Sequence, residues 1–248
     1  MIVNTTNKGW EIISQYAHGL LAGRIAAQIH PQFRPKQWVE TLTAIIEHDD
    51  KQIDLDMQSC LSDAGLPMDF SLSKSEPQGS VVKRARGLME LAMNKSRWIA
   101  LLISCHLDFL YNQDEVGKEM QAFLKEGEKF RKKTLKKFEI SAEKLNEYYQ
   151  ILRFSDRLSL ILCKDEVPEK GRRLEINKSI NNKTFYVSKD EKNQLIIDPW
   201  CFKEKSFDFS VETRYVEQAT FSSGVALQSA IDKTEVTLKD FRFISAGM

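Results

Sequence analysis

Apolar residues recur at helical spacing through most of the first two-thirds of the chain. Pro35 suits the first turn of one helix, where a residue needs no partner for its N–H, and Trp38, Leu42 and Ile45 follow at helical spacing. The same stripe continues to Asp49, so it ends in a carboxylate rather than an apolar side chain. Equivalent patterns predict further helices over about residues 14–29, 81–112, 116–138 and 141–164.

The apolar period changes from that of a helix to that of a strand beyond residue 167. Alternating residues predict strands over 184–188, 194–197, 207–216 and 236–244, with a short helix over 222–231. Near the start of the chain, two short apolar runs flank Asn7-Lys8-Gly9 and predict a hairpin, which needs other strands for stability. The predicted fold class is therefore α+β: a mainly α-helical bundle of residues 14–166, with a small antiparallel β-sheet formed by the C-terminal region, residues 167–248, and the N-terminal hairpin, residues 1–13.

Composition and charge limit the class of protein and its partners. The chain has 248 residues, 42% of them hydrophobic, which is enough for a globular core and allows one or two domains. Its formal net charge of +1 argues against nucleic acid as a partner. We accordingly interpret the basic run from Arg131 to Lys137 as a solvated helix face.

The cysteines and the apolar segments indicate a compartment. Four cysteines lie far apart without a Cys-x-x-Cys pair, so neither a disulfide framework nor a zinc ribbon is indicated, and a reducing cytosol fits best. The first ten residues lack the pattern of a signal peptide, and the apolar run from Trp98 to Cys105 is too short to span a bilayer. We therefore expect a soluble, cytoplasmic protein of bacterial type without a membrane partner.

Four of the predicted helices carry ionisable groups on an otherwise apolar face. These groups are His18, the pair His48-Asp49, His106 and Asp156. A single buried histidine more often bonds a backbone carbonyl than a metal, because most buried polar groups find partners within the protein. Three histidines and two aspartates on buried faces must compensate one another, however, and a divalent cation does so most simply. The pattern therefore predicts a metal site.

The order of these residues resembles a known superfamily. A histidine (His18), a His-Asp dyad (His48-Asp49) and a distal aspartate (Asp156), each on a helix, are the pattern of the HD superfamily of metal-dependent phosphohydrolases. The segments Ala44–Asp50 and Phe154–Ser159 look like its dyad helix and its distal aspartate helix.

Over the whole chain, the sequence resembles a bacterial family of HD-like proteins that is catalogued only as a domain of unknown function. The similar segments are His18–Gly23, His48–Asp50, Gly65–Phe70, Ser104–His106, Asp156–Leu160 and Pro199–Phe202. The chain departs from that family at Lys51-Gln52-Ile53, where glycine and tryptophan are usual.

The resemblance implies an HD-like fold for the helical bundle and a set of metal ligands. His18, His48, Asp49 and Asp156 would bind a divalent metal ion, which is Mn, Fe, Ni, Zn or Mg. His106 would be either a fifth ligand or a donor to the substrate. One metal ion is favoured over two, because a second ion needs additional histidines and only His106 is well placed.

The resemblance also implies catalytic and substrate-binding residues. Asp49 or Asp50 would handle a proton while the metal activates water, and His106 would assist. The substrate would be a small phosphorylated or nucleotide-like molecule, and the candidates for holding its phosphate are Arg24, Lys51 and Arg157. Each of these three is more commonly an ordinary surface or helix-capping charge.

Two functions of different classes are compatible with these residues. The first is a metal-dependent phosphohydrolase, and the second is a non-catalytic sensor or scaffold that binds a metal or another ligand. The sequence contains no Gly-x-Gly-x-x-Gly and no P-loop motif, so it does not support a dinucleotide or P-loop site. It leaves open the substrate and whether the chain forms a homo-oligomer.

Overall fold

The structure, a computed structural model, describes residues 1–50, 60–72, 78–112, 116–169 and 171–246. Within these residues the chain forms seven α-helices and seven β-strands. The helices are α1 (Gln15–Ala27), α2 (Trp38–Ile46), α3 (Gln78–Lys95), α4 (Arg97–Tyr111), α5 (Lys118–Phe138), α6 (Ala142–Cys163) and α7 (Gly224–Lys233). The strands are β1 (Ile2–Thr6), β2 (Gly9–Ile13), β3 (Arg173–Lys178), β4 (Thr184–Lys189), β5 (Leu195–Asp198), β6 (Ser206–Val216) and β7 (Thr237–Ile244).

Serine side chains define where four of the helices begin. The hydroxyls of Ser14, Ser96, Ser141 and Ser223 each accept a hydrogen bond from a backbone N–H in the first turn of the helix that follows. Such caps satisfy donors that have no partner within the helix and typically stabilise it by about 1 kcal/mol. Ser96 also explains why α3 and α4 are separate helices, because its extended backbone interrupts an otherwise continuous run.

All seven strands belong to one sheet, in the order β1-β2-β6-β7-β5-β4-β3. Neighbouring strands are antiparallel except β5 and β7, which are parallel. Strand β2 pairs with β6, with Trp10 opposite Val216. The sheet therefore joins the N-terminal hairpin to the C-terminal strands, while the division of the chain into a bundle of residues 14–166 and a region of residues 167–248 stays a prediction.

The predicted fold class is wrong in its main features, although the mixture of helices and strands holds. The sheet is neither small nor antiparallel, since it contains seven strands and one parallel pair. Strand β3 was not predicted because Ile176 is the one buried residue in its charged sequence, so the alternation of apolar and polar residues is weak. An HD-like bundle is also wrong, because HD domains are all-helical and this fold combines its helices with a large sheet.

Helix α6 connects the helices to the sheet. It contacts α1, α2 and α4 on one side and β3 on the other. Phe154 of α6 packs against Phe185 of β4 with ring centroids 4.9 Å apart, and against Phe202, which precedes β6. Phe154 is fully buried and Phe185 nearly so, and aromatic pairs at this spacing add to the stability gained from burial alone. The sheet thus fixes α6, which in turn holds the neighbouring helices in place.

Helices α1 and α2 approach so closely that α1 has glycine at the contact. A Cβ atom on Gly19 would lie 2.3 Å from the carbonyl oxygen of Ile46, and one on Gly23 would lie 2.3 Å from the Ile46 side chain. Glycine therefore allows the two backbones to come together. The contact involves the neighbour of His18 and a residue two positions before His48.

We expect Gly19→Ala to lower the free energy of unfolding by about 1–3 kcal/mol, because the added methyl group forces α1 and α2 apart. Gly87→Ala in α3 is the matched control, since a Cβ there meets no atom within 4 Å in the described part of the chain outside its own helical turn. Alanine should stabilise that helix by up to about 1 kcal/mol. Urea unfolding measures both changes, and two variants of equal stability would contradict a tight contact between α1 and α2.

The described residues also bear on thiols and membranes. Cys60, Cys105, Cys163 and Cys201 form no disulfide with one another, and burial raises the pKa of Cys105 and of Cys163 to about 12. Thiols with such a pKa are poor nucleophiles at neutral pH.

None of the helices in the described part of the chain has the length and apolar composition needed to cross a membrane.

Candidate metal centre

Five ionisable side chains from four parts of the helical layer meet in one cluster: His18, His48, Asp49, His106 and Asp156. His18 lies on α1, His106 on α4 and Asp156 on α6. His48 and Asp49 differ from the prediction in one respect, because α2 ends at Ile46 and the pair lies in the turn beyond it. The close contact between α1 and α2 brings this turn next to His18.

The distances within the cluster are short. Oδ1 of Asp156 lies 3.3 Å from Nε2 of His18 and 3.2 Å from Nε2 of His48. Oδ2 of Asp49 lies 3.5 Å from Nε2 of His48 and 3.7 Å from Nε2 of His18, and its Oδ1 lies 3.8 Å from Nε2 of His106. The Nε2 atoms of three imidazole rings therefore face two carboxylates across a common space.

The atoms that face this space have no hydrogen-bond partner among the described residues. They are Nε2 of His18, Nε2 of His48, Nε2 of His106 and Oδ1 of Asp156, and all four are buried. Buried polar atoms in proteins are nearly always hydrogen-bonded, because an unmade hydrogen bond leaves the cost of desolvation uncompensated. Four such atoms in one cluster point to a ligand that binds all of them.

The outer nitrogens of two histidines indicate which ring nitrogen carries the proton. Nδ1 of His48 lies 2.7 Å from the carbonyl oxygen of Ile45, which can only accept, so a neutral His48 has its proton on Nδ1. Nδ1 of His18 lies 2.9 Å from Oγ of Ser159, and that hydroxyl donates to the carbonyl oxygen of Asp156. Both geometries leave the lone pair of the neutral ring on Nε2, which is the form that binds a metal.

His106 has a similar but longer outer contact. Its Nδ1 lies 3.4 Å from the hydroxyl of Tyr149, which is itself buried. Burial raises the pKa of Tyr149 well above its usual value, so the phenol stays protonated at neutral pH. The hydroxyl can accept from Nδ1–H of His106 or donate to an unprotonated Nδ1, and only the first arrangement leaves the lone pair of the neutral ring on Nε2, which faces the cluster.

Charge in the cluster requires a positive partner. Burial disfavours the ionised form of Asp156, but His48 and His18 hold its pKa well below the usual range, and His48 and His106 lower the pKa of Asp49 in the same way. Burial also lowers the pKa of His48, but Asp49 and Asp156 outweigh this effect and raise it to about 10. Two ionised carboxylates thus attract either a proton on His48 or a divalent cation.

The members of the cluster differ in exposure. The side chains of His18 and His48 are fully buried and that of His106 is 2% exposed, whereas those of Asp49 and Asp156 are 19% and 18% exposed. The imidazoles are therefore the most deeply buried part of the cluster, and the two aspartates are in partial contact with solvent.

Among the described residues, three other predicted site residues are not members of this cluster: Asp50, Arg24 and Arg157. Asp50 is half-buried, and burial and the charge of Glu47 raise its pKa. Arg24 donates from Nη1 to the carbonyl oxygen of Ser210 on β6 at 2.6 Å. Nη2 of Arg157 lies 3.4 Å from Oε2 of Glu166. Lys51 falls outside the described residues.

The sequence pattern did not identify the residues that orient the histidines, namely Ser159, Tyr149 and the carbonyl of Ile45. Ser159 and Tyr149 lie on the same buried face of α6 as Asp156. A hydroxyl on such a face needs a partner, and this was the available signal. This signal does not identify the partner, because His18 lies far from Ser159 in the sequence.

Comparisons with known proteins assign a family but no activity. The family model described as a protein of unknown function, DUF3891, matches residues 1–218. No curated protein and no solved structure matches the chain. The predicted relationship to the HD superfamily is therefore wrong: the matching family is DUF3891, and the fold differs from the all-helical HD domain.

Proposed function

Because this chain belongs to the DUF3891 family, whose function is unknown, we propose a function from its site alone: a metal-dependent hydrolase of a small phosphorylated or nucleotide-like compound. His18, His48, His106, Asp49 and Asp156 would hold one divalent cation. These side chains form two overlapping groups, and within each group the ligand atoms lie within 4.8 Å of one another. The first group is His18, His48 and Asp49, and the second is His48, His106 and Asp156.

The observation that carries the proposal is the set of four buried atoms without hydrogen-bond partners among the described residues, three Nε2 atoms and Oδ1 of Asp156. Each costs about 1–3 kcal/mol if it stays unpaired. A protonated His48 would satisfy some of these atoms but would leave the Nε2 lone pairs of His18 and His106 without a donor. A divalent cation binds all of them and balances both carboxylates, so it explains more of the cluster.

The donor set favours a first-row transition metal. Three imidazole nitrogens suit Fe, Ni or Zn, and the two carboxylates also suit Mn, whereas Mg prefers a shell of oxygen atoms. Five protein ligands leave a place for water or substrate on an ion that takes six. We therefore propose Mn, Fe, Ni or Zn ahead of Mg as the native ion.

A cation bound here would lower the pKa of a water molecule and polarise a phosphoryl oxygen. The residues of the chain contribute the surroundings. The buried imidazoles would keep solvent away from one side of a bound ion, and the carbonyl of Ile45 and the hydroxyl of Ser159 keep two of these rings oriented. Asp49 is partly exposed, and its carboxylate can accept a proton from water. The limited exposure of the carboxylates suits a small substrate rather than a polymer.

A second candidate function is a metal-binding sensor or scaffold without turnover. One observation favours it: Arg24 and Arg157, two of the candidates for holding a phosphate, interact with Ser210 and Glu166 rather than with side chains of the cluster. The two functions share the metal site and differ only in catalysis.

We expect the purified protein to hydrolyse at least one member of a panel of phosphomonoesters, phosphodiesters and nucleotides when Mn, Fe, Ni or Zn is added. A chelator should abolish turnover and fresh metal should restore it. At saturating metal, Asp49→Asn should lower the rate by about 100-fold or more, because it removes the proposed proton acceptor. His30→Ala is the control, since the His30 side chain bonds the backbone of Gln32 instead. Metal binding without turnover on any substrate would favour the sensor or scaffold.

A further inference from the structure

We infer that Ser159 is a positioning residue that holds His18 in the tautomer able to bind a metal ion. The inference rests on the proposed metal site and concerns the tautomer and orientation of one of its ligands. Ser159 lies on α6, three residues after Asp156, and its side chain is fully buried.

The hydrogen bonds of Ser159 have one consistent direction. Its Oγ lies 2.8 Å from the carbonyl oxygen of Asp156 and 2.9 Å from Nδ1 of His18. The carbonyl oxygen can only accept, so the single hydroxyl hydrogen belongs in that bond. Oγ must then accept from Nδ1–H of His18, which leaves the lone pair of a neutral ring on Nε2, the atom that faces Asp49 and Asp156.

Ser159 therefore connects two proposed ligands from different helices. It bonds the backbone of Asp156 and the ring of His18 at the same time, so a shift of α1 against α6 would break the arrangement. Residues that bond the outer nitrogen of a metal-binding histidine commonly change metal affinity by about 10- to 100-fold when they are replaced. We expect a similar effect for Ser159.

The chain contains a matched control on the same helix. Ser155 is also fully buried, one turn earlier, but its hydroxyl has no hydrogen-bond partner among the described residues. Replacing either serine with alanine removes one buried oxygen of the same kind. The two variants thus differ in whether the oxygen touches a proposed ligand.

The first measurement is the affinity for Zn or Mn in competition with a coloured chelator. Ser159→Ala should weaken binding by about 10- to 100-fold, while Ser155→Ala should leave it unchanged. Ser159→Thr keeps the hydroxyl and should recover most of the affinity. Circular dichroism of the metal-free variants checks that each is folded, so that a loss of affinity reports on the site. Equal affinities of Ser159→Ala and the wild type would overturn the inference.

The second measurement reads the tautomer without metal. In the metal-free wild type at mildly alkaline pH, the ¹⁵N shifts of His18 should show the proton on Nδ1, whereas Ser159→Ala should show a mixture of both tautomers. A proton on Nε2 of His18 in the wild type would overturn the inference. Because this experiment uses no metal, it decides the role of Ser159 even if the proposed metal site and hydrolase fail.

Discussion

We expect Asp156→Asn and His48→Ala each to abolish most metal binding. Asp156 is the carboxylate nearest to two of the imidazoles, and the amide of asparagine lacks the charge that the cation needs. For the wild type, metal at about 100 times its dissociation constant should add about 2.7 kcal/mol of stability. For a chain of this size, that corresponds to a rise of roughly 5–10 °C in the unfolding midpoint. Neither variant should show this rise.

Metal content after purification, measured by elemental analysis, and thermal unfolding with and without added metal test this expectation. His30→Ala is the matched histidine control, and Asp50→Asn is the matched aspartate control, because both residues lie outside the cluster. Both controls should keep the metal. A wild-type protein that carries no metal and takes none up, and that tolerates Asp156→Asn unchanged, would refute the metal site.

A second large effect is expected away from the metal site, at Glu11. This carboxylate lies in β2 and is almost fully buried, and Lys239 of β7 contacts it at 2.9 Å. Asn4 and Tyr215 also donate hydrogen bonds to it. Burial opposes its ionised form, but these partners, with Lys239 first, lower its pKa overall. Lys239 also contacts Asp165 at 2.7 Å, just beyond the end of α6.

Lys239→Ala should therefore lower the free energy of unfolding by about 3–5 kcal/mol near neutral pH, because it leaves Glu11 charged and buried without a cation. Arg242→Ala is the control on the same strand: its pair with Asp208 is exposed and should contribute less than about 1 kcal/mol.

The effect of Lys239→Ala should also depend on pH. The pKa of Glu11 is lowered in the folded wild type, so the stability that this group contributes is present above its unfolded pKa and is lost as the pH falls through the folded pKa. The difference between Lys239→Ala and the wild type should shrink in acid, where Glu11 is protonated. Urea unfolding at neutral and acidic pH measures both quantities, and a difference independent of pH would argue that Lys239 acts through packing alone.

Helical periodicity predicted that His18 and His106 point inward, and both are buried. His18, His106 and Asp156 fall on apolar stripes, and stripes of neighbouring helices face one another in any packed layer. Periodicity does not say how α2 ends, so the prediction extended the helix through His48 and Asp49. It also cannot assign long-range partners: Arg24, a candidate for binding phosphate, instead donates to the backbone of Ser210.

The sheet was harder to predict than the site because its pairings lack local signals. Strand β5 pairs with β7 in parallel through Leu195 and Phe243, far apart in the chain, and no turn between them sets the register. At the edge of the sheet, β3 buries little and carries charged residues, so its alternation is faint. The family resemblance added the expectation of an HD-like bundle beside a small sheet, and the large mixed sheet contradicts it. A short ligand pattern is therefore weak evidence for a fold.

The pairing of β2 with β6 has a consequence for how the chain is made. Ile12 pairs with Arg214, so a ribosome adding about 5–20 residues per second emits the partner of β2 roughly 10–40 s after β2 itself. An isolated two-stranded hairpin is marginally stable in water, so the hairpin of β1 and β2 is not stably folded during that interval. The helices that carry His18, His106 and Asp156 are all complete before β6 emerges. Nascent chains can therefore bring these side chains together first, and β2 pairs with β6 afterwards.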